Sequence, residues 1–129
     1  MNYRTTLLTA GLLGATGVAF GALGAHAMSG FLADRGMTSA WETGARYQLF
    51  HAVALIGVAA WLRTAQGPTQ RRLSWAATCW SVGTVLFSGS LYILAVGGPR
   101  WVGPVTPLGG ITLMVGWLCV VAAAMAKED

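Results

Sequence analysis

Four long stretches with few charged residues constrain this fold more than any other feature of the chain. They cover about residues 5–27, 39–63, 74–96 and 106–126. A helix rises about 1.5 Å per residue, so about 20 residues cross the roughly 30 Å hydrocarbon core of a bilayer. The sequence therefore predicts an all-α integral membrane protein, in which residues 1–129 form one transmembrane domain, a bundle of four helices.

The composition agrees with this prediction and excludes other classes of protein. Of the 129 residues, 55% are hydrophobic and 9% are charged, whereas a soluble domain averages about 25% charged residues. Four spans leave no room for a separate soluble catalytic domain. The net charge of +4 is carried by scattered arginines, not by the long basic patch that nucleic-acid binding needs.

The basic residues also predict an orientation. Four spans place the N-terminus, the second connection and the C-terminus on one side of the membrane. That side holds five of the eight basic residues: Arg4, Arg63, Arg71, Arg72 and Lys127. The other side holds Arg35, Arg46 and Arg100. Because basic loops tend to stay in the cytoplasm, we expect both termini there. Trp61 and Trp75 would mark the inner boundary, and Trp41 and Trp101 the outer one.

The first stretch has two interpretations. Arg4, an apolar run and Ala25-His26-Ala27 resemble a cleaved signal peptide. Five glycines, however, lie within about 140° of one another on a helix: Gly11, Gly14, Gly17, Gly21 and Gly24. Small residues let membrane helices approach closely, which favours a retained first span packed against its neighbours. Gly109 and Gly110 are expected to pack similarly in the fourth span. The alternative for Gly17 and Gly21, a GxxxG pair, is a dimerisation surface.

Two of the spans carry start signals. Ser39 and Glu42 have the spacing of a capping box, which would satisfy the first free backbone donors of the second helix. Thr106 followed by Pro107 fits an N-cap with proline at the first helical position of the fourth.

The second span contains polar residues that are costly in a membrane and are therefore candidate site residues: Glu42, Arg46, Tyr47, Gln48 and His51. Helical spacing places Gln48 and His51 on one face with Trp41 and Gly44. Glu42 and Arg46 lie roughly opposite, where their i, i+4 spacing allows an ion pair. His51 falls near the middle of the membrane. It is expected either to make a structural hydrogen bond or to take part in proton transfer.

The third span adds a stripe of hydroxyl groups, from Ser81 and Thr84 to Ser88 and Tyr92. The predicted topology gathers one polar cluster in the outer half of the bundle: His26, Gln48, Ser88, Ser90, Tyr92 and Thr106. Serine and threonine often join membrane helices by hydrogen bonds, so such a cluster is either structural or ligand-binding.

The sequence contains no recognisable catalytic or metal-binding set. Cys79 and Cys119 lack metal-ligand spacing and are expected to be free buried thiols. A bis-histidine haem needs two histidines at matching depth, whereas His26 lies at the end of a span and His51 at its middle. We therefore expect no cofactor, no metal and no enzymatic activity.

Four segments resemble a known membrane family: GALGAHAM at Gly21–Met28, WETGARYQLFHAVAL at Trp41–Leu55, GSLYIL at Gly89–Leu94 and TPLGGITLMVGW at Thr106–Trp117. The chain resembles domain-of-unknown-function family 423, small four-span proteins of bacterial inner membranes with eukaryotic relatives. The resemblance implies an inner-membrane protein of unassigned activity and carries over no catalytic residue. Gly44-Ala45 follows Thr43 where the family motif has Thr-Ala.

Three functions fit these observations. The first is a non-enzymatic protein that binds a partner or assists a larger complex. The second is an oligomeric channel or transporter for protons or small solutes that uses His51, Gln48, Ser88 and Tyr92. The third is a lipid-binding protein or enzyme that acts at the outer leaflet through His26, Glu42, Arg46 and Tyr92. In that case the segment 29–38 would serve as a lid whose Phe31, Leu32 and Met37 touch lipid. Expected partners are membrane lipids, a second copy of the chain or another membrane protein, and not nucleic acid.

Overall fold

The computed structural model describes residues 1–126 and contains four helices long and apolar enough to cross a membrane. They are α1 (Tyr3–Ala25), α3 (Thr38–Leu62), α4 (Gly67–Ala95) and α5 (Val105–Ala124). A short helix, α2 (Ser29–Asp34), lies between α1 and α3, and a 3-10 turn (Arg100–Val102) lies between α4 and α5. The predicted all-α bundle of four spans is confirmed.

The helix ends lie close to their predicted positions, with one exception. Helix α4 begins at Gly67 and not near Ser74. Its first turn contains Pro68, whose missing N–H costs nothing there. The next turns of the helix contain arginines, so they did not count as part of the apolar stretch in the sequence. One of these, Arg72, donates to the Ala122 carbonyl at the end of α5 over 2.6 Å.

Both predicted capping motifs are wrong. Met37 occupies the N-cap of α3, and no side chain caps that helix. Pro104 occupies the N-cap of α5, so Thr106 lies inside the helix and is free to bond elsewhere. A side-chain cap does form on α1, where the Asn2 amide oxygen accepts from the Thr5 backbone N–H at 3.0 Å.

The helices pack in a folded row. Helix α1 packs on α3, α3 on α4, and α4 on α5. Contacts such as that of Trp41, near the start of α3, with Phe20, near the end of α1, show that successive spans run in opposite directions. One end of the bundle, here called the terminal face, carries the N-terminus and the α3–α4 connection. The other end, the loop face, carries α2 and the 3-10 turn. Lys127, counted above with the basic residues, lies outside the described residues.

Two apolar cores hold the row together. The larger joins all four spans around Leu55, Leu73 and Trp80, with Ala10 of α1 among its members. The smaller lies at the loop face around Leu32, Trp41 and Ala95. One expectation is corrected here: Leu32 of the expected lid is fully buried instead of touching lipid. Trp41 is buried as well, near the start of α3 at the loop face.

The glycines of α1 have unequal roles. A Cβ at Gly17 would lie 2.9 Å from the Leu49 side chain, and one at Gly24 would overlap the Trp41 indole, so α3 approaches closely at both. At Gly14 the nearest side-chain atom is 3.9 Å away. Gly11 and Gly21 have nothing within 4 Å, so the predicted packing is wrong for these two glycines within one chain.

Large apolar side chains cover the outside of the spans. Leu12 of α1, Val53 of α3 and Leu118 of α5 are each about two-thirds exposed. A soluble monomer rarely exposes contiguous apolar surface on this scale, but lipid tails solvate it without cost. The surface is therefore that of a membrane-embedded bundle.

Candidate binding cleft

Helices α1 and α4 both lean on α3 and leave a cleft between them. Two adjoining cavities occupy it, and Leu13 and Val85 line both. The cavity nearer the loop face has a volume of about 200 Å³ and is lined by Leu13, Thr16, Phe20, Gln48, Thr84, Val85, Ser88, Gly89 and Tyr92. The cavity nearer the middle of the bundle has about 320 Å³ and is lined by Thr9, Leu13, Ser81, Val82, Val85 and Leu86.

Gln48 is the central polar residue of the first cavity. Its side chain is buried in α3, where it donates from Nε2 to the Leu13 carbonyl at 2.9 Å and to Thr16 Oγ1 at 2.8 Å. The Tyr92 hydroxyl donates to its Oε1 at 2.8 Å. One amide side chain thus joins α1, α3 and α4.

The direction of these hydrogen bonds follows from their partners. A backbone carbonyl only accepts, so the amide nitrogen of Gln48 must face Leu13 and its oxygen must face Tyr92. Thr16 donates its own proton to the Leu12 carbonyl at 2.7 Å and therefore accepts from Gln48. The donor and the acceptor of each hydrogen bond in this network are therefore assigned, and both amide protons of Gln48 are donated.

Two further hydroxyl residues of α4 line the same cavity. Ser88 is buried and donates to the Gly44 carbonyl at 2.7 Å. Thr84 is 1% exposed, and its hydroxyl has no hydrogen-bond partner among residues 1–126. Most buried polar groups in proteins are paired, so Thr84 marks a place where a partner is missing.

Aromatic rings close the loop-face end of the cleft. The Tyr92 ring centroid lies 4.8 Å from that of Phe20 and 4.7 Å from that of Trp41. The Trp41 indole is fixed by its hydrogen bond to the Phe20 carbonyl at 2.7 Å. Leu32 of α2 packs into the same apolar core. The open side of the cleft is therefore lateral, past the exposed side chain of Val85.

His51 lies outside the cleft, on the side of α3 that faces α5. Trp117 donates its indole N–H to His51 Nε2 at 3.2 Å, so the other ring nitrogen carries the proton and donates to the Tyr47 carbonyl at 2.8 Å. The Trp80 ring also packs against the imidazole. Tyr47 itself is exposed at the surface of the bundle.

The other predicted site residues lie apart from the cleft. Ser90 and Thr106 pair with each other at 2.6 Å between α4 and α5. His26, Glu42 and Arg46 are exposed. The prediction of one polar cluster is wrong, because its members divide between the cleft, the α4–α5 contact and the surface.

Sequence reasoning missed three contributors to these sites. Thr16 lies in a span whose main pattern is its glycines, although a hydroxyl group in an apolar run is itself a signal. Trp80 and Trp117 surround His51, but nothing in the sequence indicates which helices are neighbours. Gly109 packs on α4 as expected, since a Cβ there would overlap the Phe87 backbone, whereas a Cβ at Gly110 would lie 3.7 Å from the Phe87 ring.

The lining of the cleft is uncharged and mostly apolar, with a few amide and hydroxyl groups. Among the residues that the structure describes, none that lines the cleft carries a carboxylate or a basic side chain. Within residues 1–126, no three His, Cys, Asp or Glu side chains gather as metal ligands. Cys79 and Cys119 are free thiols, and both are half-buried instead of buried as expected. Such a surface can bind and orient a molecule.

The fold and the cleft define a small helical integral membrane protein. The chain belongs to the family described as "Protein of unknown function (DUF423)", whose model matches residues 20–110. A UPF0382 membrane protein of Staphylococcus haemolyticus is 40% identical over 104 residues, 81% of either chain. The UPF0382 inner membrane protein YgdD of Escherichia coli K12 is 38% identical over 130 residues, covering 97% of this chain and 92% of that one. No solved structure gives a significant match.

Proposed function

We propose that this is a non-enzymatic binding protein of the bacterial inner membrane, with both termini in the cytoplasm, that holds a lipid in the α1–α4 cleft. The observation that carries the proposal is the order of the two cavities. The cavity lined by Gln48, Ser88 and Tyr92 lies toward the loop face, and the one lined by Val82 and Leu86 lies toward the middle of the bundle.

This order matches the way a lipid lies in the leaflet at the loop face. There the polar end of a lipid points toward the loop face, and its chain points to the bilayer centre. The aromatic rings of Phe20, Trp41 and Tyr92 obstruct entry from the aqueous side. A molecule that reaches the cleft arrives through the lateral opening, which faces hydrocarbon. These features favour a ligand drawn from the membrane over a water-soluble one.

A channel for protons or solutes has less support. The polar groups that it would use are engaged in contacts between helices, with Gln48 bound to α1 and α4 and Ser88 to the Gly44 carbonyl. His51 is held by Trp117 of α5, outside the cleft. These groups join neighbouring helices and do not follow one path through the bundle.

The proposal is tested with a variant that fills the cleft. Gly89 lines the first cavity, and a Cβ there meets no atom of the described residues within 4 Å, so Gly89→Leu places its side chain in the open space of the cleft. Gly57 has equally open surroundings on the exposed surface of α3, so Gly57→Leu is the matched control.

The measurement is native mass spectrometry of each protein, extracted from its own membrane in a mild detergent. We expect wild type and Gly57→Leu to retain a lipid-sized added mass at a collision energy that strips it from Gly89→Leu. Equal retention by all three proteins, or no added mass on wild type, contradicts the proposal. A dimer lost only in Gly89→Leu would assign the cleft to a second copy of the chain.

A further inference from the structure

We infer that the ligand of the cleft is a neutral single-chain lipid whose polar end is a hydroxyl group that both donates and accepts a hydrogen bond. This inference rests on the proposed function and specifies its substrate class. It follows from an account of which donors and acceptors the protein leaves unused around the polar cavity.

The unused groups of the network are acceptors. Gln48 spends both amide protons on Leu13 and Thr16, and Tyr92 and Ser88 each spend their one proton on a protein oxygen. An amide oxygen and a hydroxyl oxygen each have two lone pairs. The oxygen atoms of Gln48, Tyr92 and Ser88 therefore retain capacity to accept a hydrogen bond from a ligand.

The unused donor is Thr84. Its side chain lines the same cavity, is 1% exposed, and has no hydrogen-bond partner for its hydroxyl among the described residues. A ligand that offers only acceptors, such as a ketone or an ether, would satisfy Thr84 and leave the three acceptors unused. A ligand hydroxyl group can accept a hydrogen bond from Thr84 and donate one to an acceptor oxygen of the cavity.

The absence of charge in the lining excludes an ionised head group on energetic grounds. Within residues 1–126, no Arg, Lys, His, Asp or Glu lines either cavity, and an unpaired charge in an apolar site is costly. The volumes of about 200 and 320 Å³ together reach the lower part of the range of small-molecule pockets. They suit a small head and one chain, not a phospholipid head group with two chains.

Three probes with the same oleyl chain test the inference on purified, delipidated full-length protein. Oleyl alcohol donates and accepts, oleyl methyl ether only accepts, and oleate is charged. We expect native mass spectrometry to give oleyl alcohol an affinity between about twofold and tenfold higher than the ether, the effect of one net hydrogen bond, and to give oleate the weakest binding.

Substitutions at Thr84 complete the test. Thr84→Val keeps the shape and removes the hydroxyl, so it should lower the affinity for oleyl alcohol by a similar factor and leave the isolated protein folded. Thr84→Ser keeps a hydroxyl and should retain the preference for the alcohol.

The outcomes separate this inference from the proposed function. Equal binding of the three probes, with Gly89→Leu still abolishing it, leaves lipid binding intact and overturns the hydroxyl assignment. Tightest binding of oleate, or no effect of Thr84→Val on the alcohol, overturns it as well. If wild type binds no probe and carries no native lipid, both proposals fail.

Discussion

Gln48 shows how one side chain can join three membrane helices. Its amide group bonds Leu13 and Thr16 of α1 and Tyr92 of α4, while its own backbone belongs to α3. We expect Gln48→Met and Tyr92→Phe each to lower the free energy of unfolding by about 0.6–1.7 kcal/mol, the range for hydrogen bonds between membrane helices.

These two residues share a hydrogen bond, so the double variant should lose less stability than the sum of the two single variants. Unfolding in mixed micelles measures all four proteins of the cycle. Ser90→Ala is the control partner, because Ser90 bonds Thr106 and not Gln48. Its combination with Gln48→Met should be additive. Additivity in the Gln48–Tyr92 cycle would show that the hydrogen bond contributes no coupling.

The sequence predicts which residues of a single helix share a face, because helical spacing alone determines this. It predicts that Gln48 and His51 share a face with Gly44, and all three are buried, while Glu42 and Arg46 are exposed. The partners of those side chains depend on which helices are neighbours. The sequence therefore grouped Gln48 with Thr106, although the latter bonds Ser90 on another contact.

Helices α4 and α5 approach closely at three glycines, Gly83, Gly109 and Gly116. A Cβ at Gly109 would overlap backbone atoms of Phe87, which cannot rotate away. We expect Gly109→Ala to separate the helices and to lower the free energy of unfolding by about 1–3 kcal/mol, the cost typical of overpacking. Thermal unfolding in detergent measures this change.

The adjacent glycine supplies the control for Gly109. A Cβ at Gly110 would lie 3.7 Å from the Phe87 ring, an ordinary van der Waals contact. Gly110→Ala should therefore be neutral or should stabilise the helix by up to about 1 kcal/mol through its propensity. Similar destabilisation by the two substitutions would contradict the packing argument.

At the element scale, hydropathy located every span but not every helix end. Hydrocarbon thickness sets the apolar length of a span, and the helix itself continues into the interface. That is why α4 extends from Ser74 back to Gly67 through two arginines. The expected cap at Ser39 failed because the chain arrives from α2 with Gly36 at a φ of +64°, and α3 then begins at Thr38 after Met37.

The orientation of the whole molecule is testable with single cysteines. In a background where Cys79 and Cys119 are replaced by alanine, Asp34→Cys reports the loop face and Gln66→Cys the terminal face. Both positions are exposed. Because Arg4, Arg63, Arg71 and Arg72 lie at the terminal face, we expect that face in the cytoplasm.

A membrane-impermeant maleimide should then label Asp34→Cys in cells with a permeabilised outer membrane, and Gln66→Cys only after the inner membrane is broken. A permeant maleimide should label both variants in intact cells and serves as the control for reactivity. Labelling of Gln66→Cys alone in unbroken cells would reverse the proposed orientation.

The packing of α1 on α3 also has a consequence for biosynthesis. A ribosome delivers the spans in order, so α1 enters the membrane first, before the helix that covers its buried glycines, Gly17 and Gly24, has been made. Until α3 is synthesised, this helix has no lasting partner within the chain and presents a groove of bare backbone to the translocation machinery. Helices α4 and α5, by contrast, can meet as soon as the second of them emerges. The nascent chain therefore depends on its surroundings between the synthesis of α1 and that of α3.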